Sequence, residues 1–305
     1  MNVINLFTRA YSKLQNYPGM PYWVLTPFRR IVRHVANMVL PWYLAKTHEC
    51  TGKREDGVIV SFTSFPARIN DVWQVVECMF RQTYQPAKIV LWLSKDQFPD
   101  GMGIPVSLRE REGNIFEIRM VDGDIRSHKK YYYVAKEYPD SLIFLIDDDI
   151  YYPTDILELS MKAHEEYPEA IICNYGYHIR YKENGELMPY NNWSKEYRYS
   201  TGEDLFFGSG GGTLFKPSWL HKDFTNIELA IELTPIADDI WLNAMVNLAK
   251  LKKVLLNNRL ILPIRIENNI RLATQNREED RNDEQLQAVA KYYLNNSGIN
   301  PFLFK

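Results

Sequence analysis

From Gly57 onward, short apolar runs alternate with segments of helical period. GVIVSF (57–62) is a β-branched run of the length of a buried strand, and it ends in the polar turn TSFPAR. KIVLWLS (88–94), FEIRMVD (116–122), SLIFLIDDD (141–149) and AIICNYGY (170–177) repeat that pattern. Helical spacing is predicted between them over 69–82, 129–138 and TDILELSMKAHEEY, the last with Thr154 as N-cap. Strands alternating with helices predict an α/β fold whose sheet is mostly parallel and flanked by helices.

Beyond residue 178 the order is less regular. RYKENGELMPY predicts a hairpin with Asn-Gly in its turn. FFGSGGGTLF is a glycine-rich loop, TPIADDIWLNAMVNLAKLKK a helix opened by acids, and KVLLNN a short strand. The charged tail TQNREEDRNDEQLQAVAKYYLNN ends in a predicted helix. The expected division is an N-terminal segment over 1–50, a catalytic domain over 51–265 and a tail over 266–305.

The N-terminal segment has its own pattern. From Pro27, suited to a first helical turn, Phe28, Ile31, Val32, Val35 and Val39 recur at helical spacing, with Arg29, Arg30, Arg33 and His34 elsewhere on the helix. Trp23, Trp42 and Tyr43 flank it. A basic amphipathic helix with flanking aromatics suits a membrane interface, and residues 22–45 are a candidate peripheral contact. The competing reading packs the same stripe on the catalytic domain. No signal peptide and no run of about 20 apolar residues is apparent. The sequence therefore predicts a cytoplasmic protein, with peripheral contact at the inner face of the cytoplasmic membrane as the added expectation.

Composition narrows the function classes. The 305 residues are 46% hydrophobic and 24% charged, which is ordinary globular usage. A net charge of −2 gives no polyanion-binding signature, so no nucleic-acid partner is expected. Cys50, Cys78 and Cys173 are far apart and form no zinc motif, a pattern that fits a reducing compartment. The 20 Tyr and 7 Trp suit both cores and sugar faces.

The candidate chemistry lies in four places. Asp147, Asp148 and Asp149 follow LIFLI directly, so a buried strand delivers them to the carboxyl edge of the sheet, where open α/β sheets bind ligands. Adjacent carboxylates repel, and a hard cation with oxygen ligands, Mg²⁺ or Mn²⁺ bridging a diphosphate, offsets that cost; the alternative is an acidic turn capping the next helix. Asp238 and Asp239 open a helix. Capping needs one acid, which leaves the other for deprotonating an acceptor hydroxyl. Gly208, Gly210, Gly211 and Gly212 permit close backbone approach to a ligand and match neither a Walker loop nor GxGxxG. Lys129 and Lys130, with Arg126 and His128, are candidates to face a diphosphate, against the reading of a solvated basic face.

In order, VSFTSFPARI, KIVLWLS, LIFLIDDDIYYP, GSGGGTLFKPSWL and ADDIWLNAM resemble bacterial glycosyltransferases of the GT-A fold that build capsular and other surface polysaccharides. DDD resembles the family's DxD motif, GGGTLFKP its acceptor-side glycine loop, ADDIW its catalytic-acid motif, and RNDEQ its closing element. IRSHKKYYY matches the lysine-bearing segment only loosely. The resemblance covers roughly residues 57–290 and implies a Rossmann-like GT-A sheet with an N-terminal helical extension. It implies transfer of a hexose or N-acetylhexosamine from a nucleotide-sugar, a UDP-sugar in first place, to a hydroxyl of a glycan or lipid-linked glycan, with Mn²⁺ or Mg²⁺ as cofactor.

By the same resemblance, Thr63, Ser64, Pro66 and Arg68 line the nucleotide pocket. Lys129, Lys130, Asp147 and Asp148 contact the donor, and Asp149 with Asp147 ligates the metal. Gly210, Gly211 and Gly212 form the acceptor-side loop, and Asp239, failing it Asp238, is the general base of an inverting displacement. Two alternatives are a sugar-phosphate nucleotidyltransferase and a non-catalytic carbohydrate-binding protein on a transferase fold. The glycine-free turn TSFPAR counts against the first, and two intact acidic sites against the second.

Overall fold

A computed structural model of the chain describes residues 2–14, 20–47, 57–195, 199–256, 261–265 and 281–304. Cys50 and residues 266–280 of the tail lie outside the described residues. In chain order the strands are β1 (Ile59–Thr63), β2 (Lys88–Ser94), β3 (Phe116–Val121), β4 (Ile143–Ile146), β5 (Ile150–Tyr151), β6 (Ile171–Cys173) and β7 (Gly176–His178), then β8 (Ser194–Lys195), β9 (Ser200–Thr201), β10 (Leu205–Phe207), β11 (Gly211–Phe215), β12 (Lys253–Leu255) and β13 (Leu262–Pro263). The helices are α1 (Val3–Lys13), α2 (Tyr22–Lys46), α3 (Trp73–Phe80), α4 (Val106–Arg109), α5 (Lys129–Glu137), α6 (Ile156–Glu166), α7 (Ile227–Leu233), α8 (Asp238–Leu248) and α9 (Arg281–Ser297).

The main sheet has eight strands in the order β3-β2-β1-β4-β11-β6-β12-β9. Its first four run parallel; β11 runs antiparallel between β4 and β6, and β9 is an antiparallel edge. The apolar runs are unbroken because both faces are covered. Val60 and Phe62 of β1 join one core with Val75 and Val76 of α3, whereas Ile59 joins the opposite core with Tyr131 and Val134 of α5. In β4, Phe144 and Ile146 face the first core and Ile143 and Leu145 the second, the period of two expected of a strand. The fold is thus α/β, with a mixed, mostly parallel sheet flanked by helices.

This topology fixes where the chemistry gathers. The parallel strands β1 and β4 end at the same edge of the sheet, and β11, running the other way, begins there. Ser64, Asp147 and Gly210 therefore come from distant parts of the sequence to one rim. A register shift between Gly211 and Thr213 bends β11 at Gly212, which has φ +99° and lies against the Phe144 ring.

Several local expectations differ from the structure. FFGSGGGTLF, expected as a glycine-rich loop, forms β10 and the central strand β11, and the strand expected over 170–177 is split into β6 and β7 of different sheets. The strand read over 141–149 stops at Ile146, because the acids leave the sheet in a turn before β5 pairs with β13. Thr154 does not cap α6; its hydroxyl and backbone N–H instead bond Asn5 of α1. The N-terminal helix begins at Tyr22, with Pro27 and Pro41 both inside it. The hairpin at 180–188 is present as a bridge between Tyr181 and Leu187, with Gly185 at φ +85° in the turn.

Both ends of the chain join the cores. Ile4 and Tyr11 of α1 and Ala36, Leu40 and Leu44 of α2 belong to the first, and Leu286, Val289 and Tyr293 of α9 to the second. Asn37 ties α2 to the backbone at Pro263 and Arg265, and Tyr293 donates to Asp223 at 3.0 Å.

Candidate active site

The turn after β4 carries three acids with three different partners. Asp148 is buried; it accepts from the Ser64 hydroxyl at 2.5 Å and from Arg68 at 2.8 Å. Arg68, delivered by the turn after β1, also lies 3.2 Å from Asp149. Asp147 is bound by Lys130 of α5 at 2.8 Å, and its side chain is 41% exposed. The turn is held by Tyr152, which accepts from the Asp147 backbone N–H at 2.8 Å and donates to the Gly210 carbonyl.

The second pair of acids opens α8. Ser209 donates from its backbone N–H to Asp239 at 2.8 Å, and its hydroxyl lies 2.5 Å from Asp239 and 2.8 Å from Asp238. Asn243 fixes α8 to β10, donating to the Phe207 carbonyl and accepting from the Phe207 N–H. The two acidic turns meet at Lys130. Its ammonium, buried at 4% exposure, lies 2.8 Å from Asp147 and 2.9 Å from Asp238.

Burial and charge pull these groups apart. Desolvation penalises the Asp149 carboxylate, and Asp148 and Asp147 add like-charge repulsion, so its pKa is pushed up to about 7 despite Arg68. Asp239 is likewise pushed up to about 7, by burial first and by Asp238 second, against the pull of Lys130 and Ser209. Asp238 goes the other way: burial would raise it, but Lys130 and then His128 hold it below the usual carboxylate range. Burial would lower Lys130 and Arg68, but their carboxylate partners raise both. Five carboxylates face two cations, an excess of negative charge that a bound cation would offset.

The donor set fits a hard divalent cation in a shared site. Mg²⁺ and Mn²⁺ take oxygen ligands, and Mg²⁺ sites commonly use one or two carboxylates with phosphate oxygens and waters. Among the described residues, no three His, Cys, Asp or Glu side chains gather to hold an ion by themselves. Asp147 and Asp149, both with partly exposed side chains on one turn, are the available carboxylates.

The remaining sequence candidates divide. Lys129 pairs with Asp124, away from the acids, because neighbours on a helix point about 100° apart and only one of two adjacent lysines can face the site. Thr63 donates to the Trp92 carbonyl within the sheet, and Pro66 is exposed on the turn that carries Arg68. Gly210 meets a steric demand: a Cβ there would lie 1.8 Å from an Asp147 carboxylate oxygen. Cβ atoms at Gly208 and Gly211 would strike Tyr175. Arg126 begins a short turn at φ +52°, and His128 is buried between Tyr131 and the Thr234 carbonyl, where it acts on Asp238 by charge and not by a hydrogen bond. Ser209, Tyr152 and Tyr175 escape sequence reasoning. Ser209 alone carried a hint, as the one hydroxyl inside the glycine run.

No family model matches the chain, and no curated protein matches it. Solved structures similar in chain path include a mannosyltransferase from Pyrobaculum calidifontis in complex with GDP-Man and Mn²⁺, at 11% identity and a TM-score of 0.47, over 99% of this chain and 79% of that one. TarS residues 1–349 from S. aureus, in complex with UDP, is similar at 10% identity and a TM-score of 0.45, over 78% of this chain and 66% of that one. HddC from Yersinia pseudotuberculosis is similar at 14% identity and a TM-score of 0.32, over 54% and 78%. Likeness of this degree concerns the path of the chain, and what the site does follows from its own side chains.

Proposed function

We propose that this chain is a metal-dependent glycosyltransferase that moves a sugar from a nucleotide-sugar, a UDP-sugar in first place, to an acceptor hydroxyl by inverting displacement. The observation that carries the reading is the junction at Lys130, where a DDD turn and an ADD helix start share one buried cation at the carboxyl edge of a parallel sheet. One turn has the charge to hold a cation and diphosphate, and the other holds a carboxylate whose proton affinity is matched to neutral pH.

Asp147 and Asp149 would hold the cation, whose chemistry is to neutralise the leaving diphosphate. Asp148, bound by Ser64 and Arg68, keeps the turn in shape. Asp239 is the base. A group with pKa near 7 is ionised often enough to accept a proton from the attacking hydroxyl and basic enough to do so usefully. Asp238, held ionised by Lys130, serves as its anchor, so environments that separate two neighbouring carboxylates assign the roles. Ser209 orients Asp239 through two contacts. The acceptor would enter along Gly210, Gly211 and Gly212, with Tyr175 as a flat wall beside Gly208 and Gly211. The capsular or surface-glycan setting and the lipid-linked acceptor belong to the same proposal.

The test is release of nucleoside diphosphate from a panel of UDP- and GDP-sugars, with and without Mn²⁺. Metal-dependent release that Asp149→Asn removes supports the reading. Metal-independent release, or none from any nucleotide-sugar with acceptor oligosaccharides present, overturns it.

A further inference from the structure

Helix α2 has two apolar faces, and among the described residues only one of them is covered. At 100° per residue, Leu25, Val32, Ala36, Leu40 and Leu44 fall on one side, and all but the half-buried Val32 are buried. The opposite side carries Trp23, Phe28, Ile31, Val35, Met38 and Trp42, between 39% and 76% exposed. The sequence offers one stripe and two readings of it, and the structure divides that stripe. Val32 turns toward the protein and Val39 is half-buried at the margin, while Phe28, Ile31 and Val35 stay outside with two tryptophans and a methionine. An apolar strip that runs about 28 Å along the helix, at 1.5 Å per residue, is far from the scattered single exposures of an ordinary surface.

The segment that carries this strip has charge of one sign. Residues 1–48 contain Arg9, Lys13, Arg29, Arg30, Arg33 and Lys46 and no Asp or Glu, in a chain of net charge −2, so the remainder carries −8. Arg9 reaches Asp155, whereas Arg30, Lys46 and His34 are exposed on α2. We propose that this face of α2 is a docking surface for an anionic lipid bilayer, with the helix lying in the plane of the interface. Trp23 and Trp42, near its two ends, sit at headgroup depth, where an amphipathic ring suits both media. No helix among the described residues is long and apolar enough to cross a membrane, which fits a helix lying on it. A second copy is the poorer occupant: a two-fold contact would set like-charged rims against each other.

Hydrogen bonds join the surface to the segments beside the site. Asn5 of α1 bonds Thr154, five residues beyond Asp149, and Asn37 of α2 bonds the backbone at Pro263, whose strand pairs with Ile150. A docked helix would therefore hold the acidic turn at a fixed height above the lipid.

Flotation of the full chain with phosphatidylcholine vesicles, with and without phosphatidylglycerol, tests this independently of any transfer activity. The wild type is expected to float with the anionic vesicles at low salt, about tenfold more than with the neutral ones, and to be released by salt. Trp23→Ser, Met38→Ser and Trp42→Ser together should abolish flotation; these side chains are exposed, so the melting curve and soluble donor hydrolysis should not move. Arg30→Glu with Lys46→Glu should lose the preference for anionic vesicles and keep the fold. A wild type that ignores both vesicles overturns the proposal, as does a triple variant that still floats. A lipid-indifferent dimer in sedimentation equilibrium that the triple variant dissolves assigns the face to a second copy and also overturns it.

Discussion

The turn at Asp147–Asp149 and the helix start at Asp238–Asp239 solve one problem in two ways. Each buries one carboxylate beside a cation and leaves a neighbouring carboxylate with a pKa near 7. In the first turn the cation is Arg68, which touches both Asp148 and Asp149, so the two carboxylates share it. In the second the cation is Lys130, which touches Asp238 but is shared with Asp147 of the other turn. Arg68 thus serves its own turn, whereas Lys130 couples the two. A planar guanidinium suits the first task, and a compact ammonium on a flexible stem suits the second.

Removing the carboxylate with the raised pKa from each turn should give the largest effects and separate the two turns. Asp149→Asn should abolish metal-dependent donor turnover and, by calorimetry, the binding of Mn²⁺ with nucleoside diphosphate. Asp239→Asn should cut turnover by about 10²–10⁴-fold and leave donor affinity intact. If Asp239→Asn instead lost nucleotide binding and kept turnover at saturation, the two turns would not have the separate tasks assigned to them.

Breaking the coupling comes next. Lys130→Met leaves Asp147 and Asp238 without their shared cation. Asp238 is then a buried carboxylate without its cation, which costs about 3–5 kcal/mol, so the melting temperature should fall steeply at pH 8 and less at pH 5, where protonation relieves Asp238. An equal fall at both pH values would mean that Lys130 acts through packing alone. Gly210→Ala is gentler: its methyl group displaces the Asp147 carboxylate, and misplacement by about 1 Å costs on the order of 10²-fold in turnover with the fold retained.

The sequence made the two acidic turns legible because one follows and the other opens a regular element whose period is easy to read. Ile143–Ile146 is an apolar run and α8 an amphipathic one, so the acids at their ends were bound to reach an edge. What joins the turns was not legible. Lys129 and Lys130 are equivalent in composition, and only the phase of α5 against β1, fixed where the Ser61 hydroxyl meets the Lys130 carbonyl, selects between them. Ser209 lay hidden inside a glycine run, and no local pattern distinguishes Tyr152 from the other tyrosines. Thr154 carried a good local signal for a cap, overruled by Asn5 from 149 residues away. Propensity ranks local options, and a buried long-range hydrogen bond outweighs the few tenths that separate them.

The smallest expected effect concerns stability, and its sign follows from the raised pKa of Asp239. In the unfolded chain this carboxyl titrates near its usual value of 3.8, and in the folded chain near 7. Between those values the folded state holds a proton that the unfolded state has released. The stability this contributes is fully present below about pH 4 and is lost as pH rises through about 7. Asparagine has the same shape, keeps an oxygen for the Ser209 N–H, and carries no charge at any pH, so Asp239→Asn escapes that loss. Lys130 retains Asp147 and Asp238 in the variant. The melting temperatures of wild type and Asp239→Asn should therefore coincide near pH 4 and diverge by a few degrees at pH 8, the inactive variant being the more stable. Asp238→Asn should move the other way, because its folded pKa lies below the usual range, and its removal leaves Lys130 one partner short. A variant pair in which Asp239→Asn destabilised and Asp238→Asn stabilised the fold at pH 8 would exchange the roles of base and anchor between the two acids.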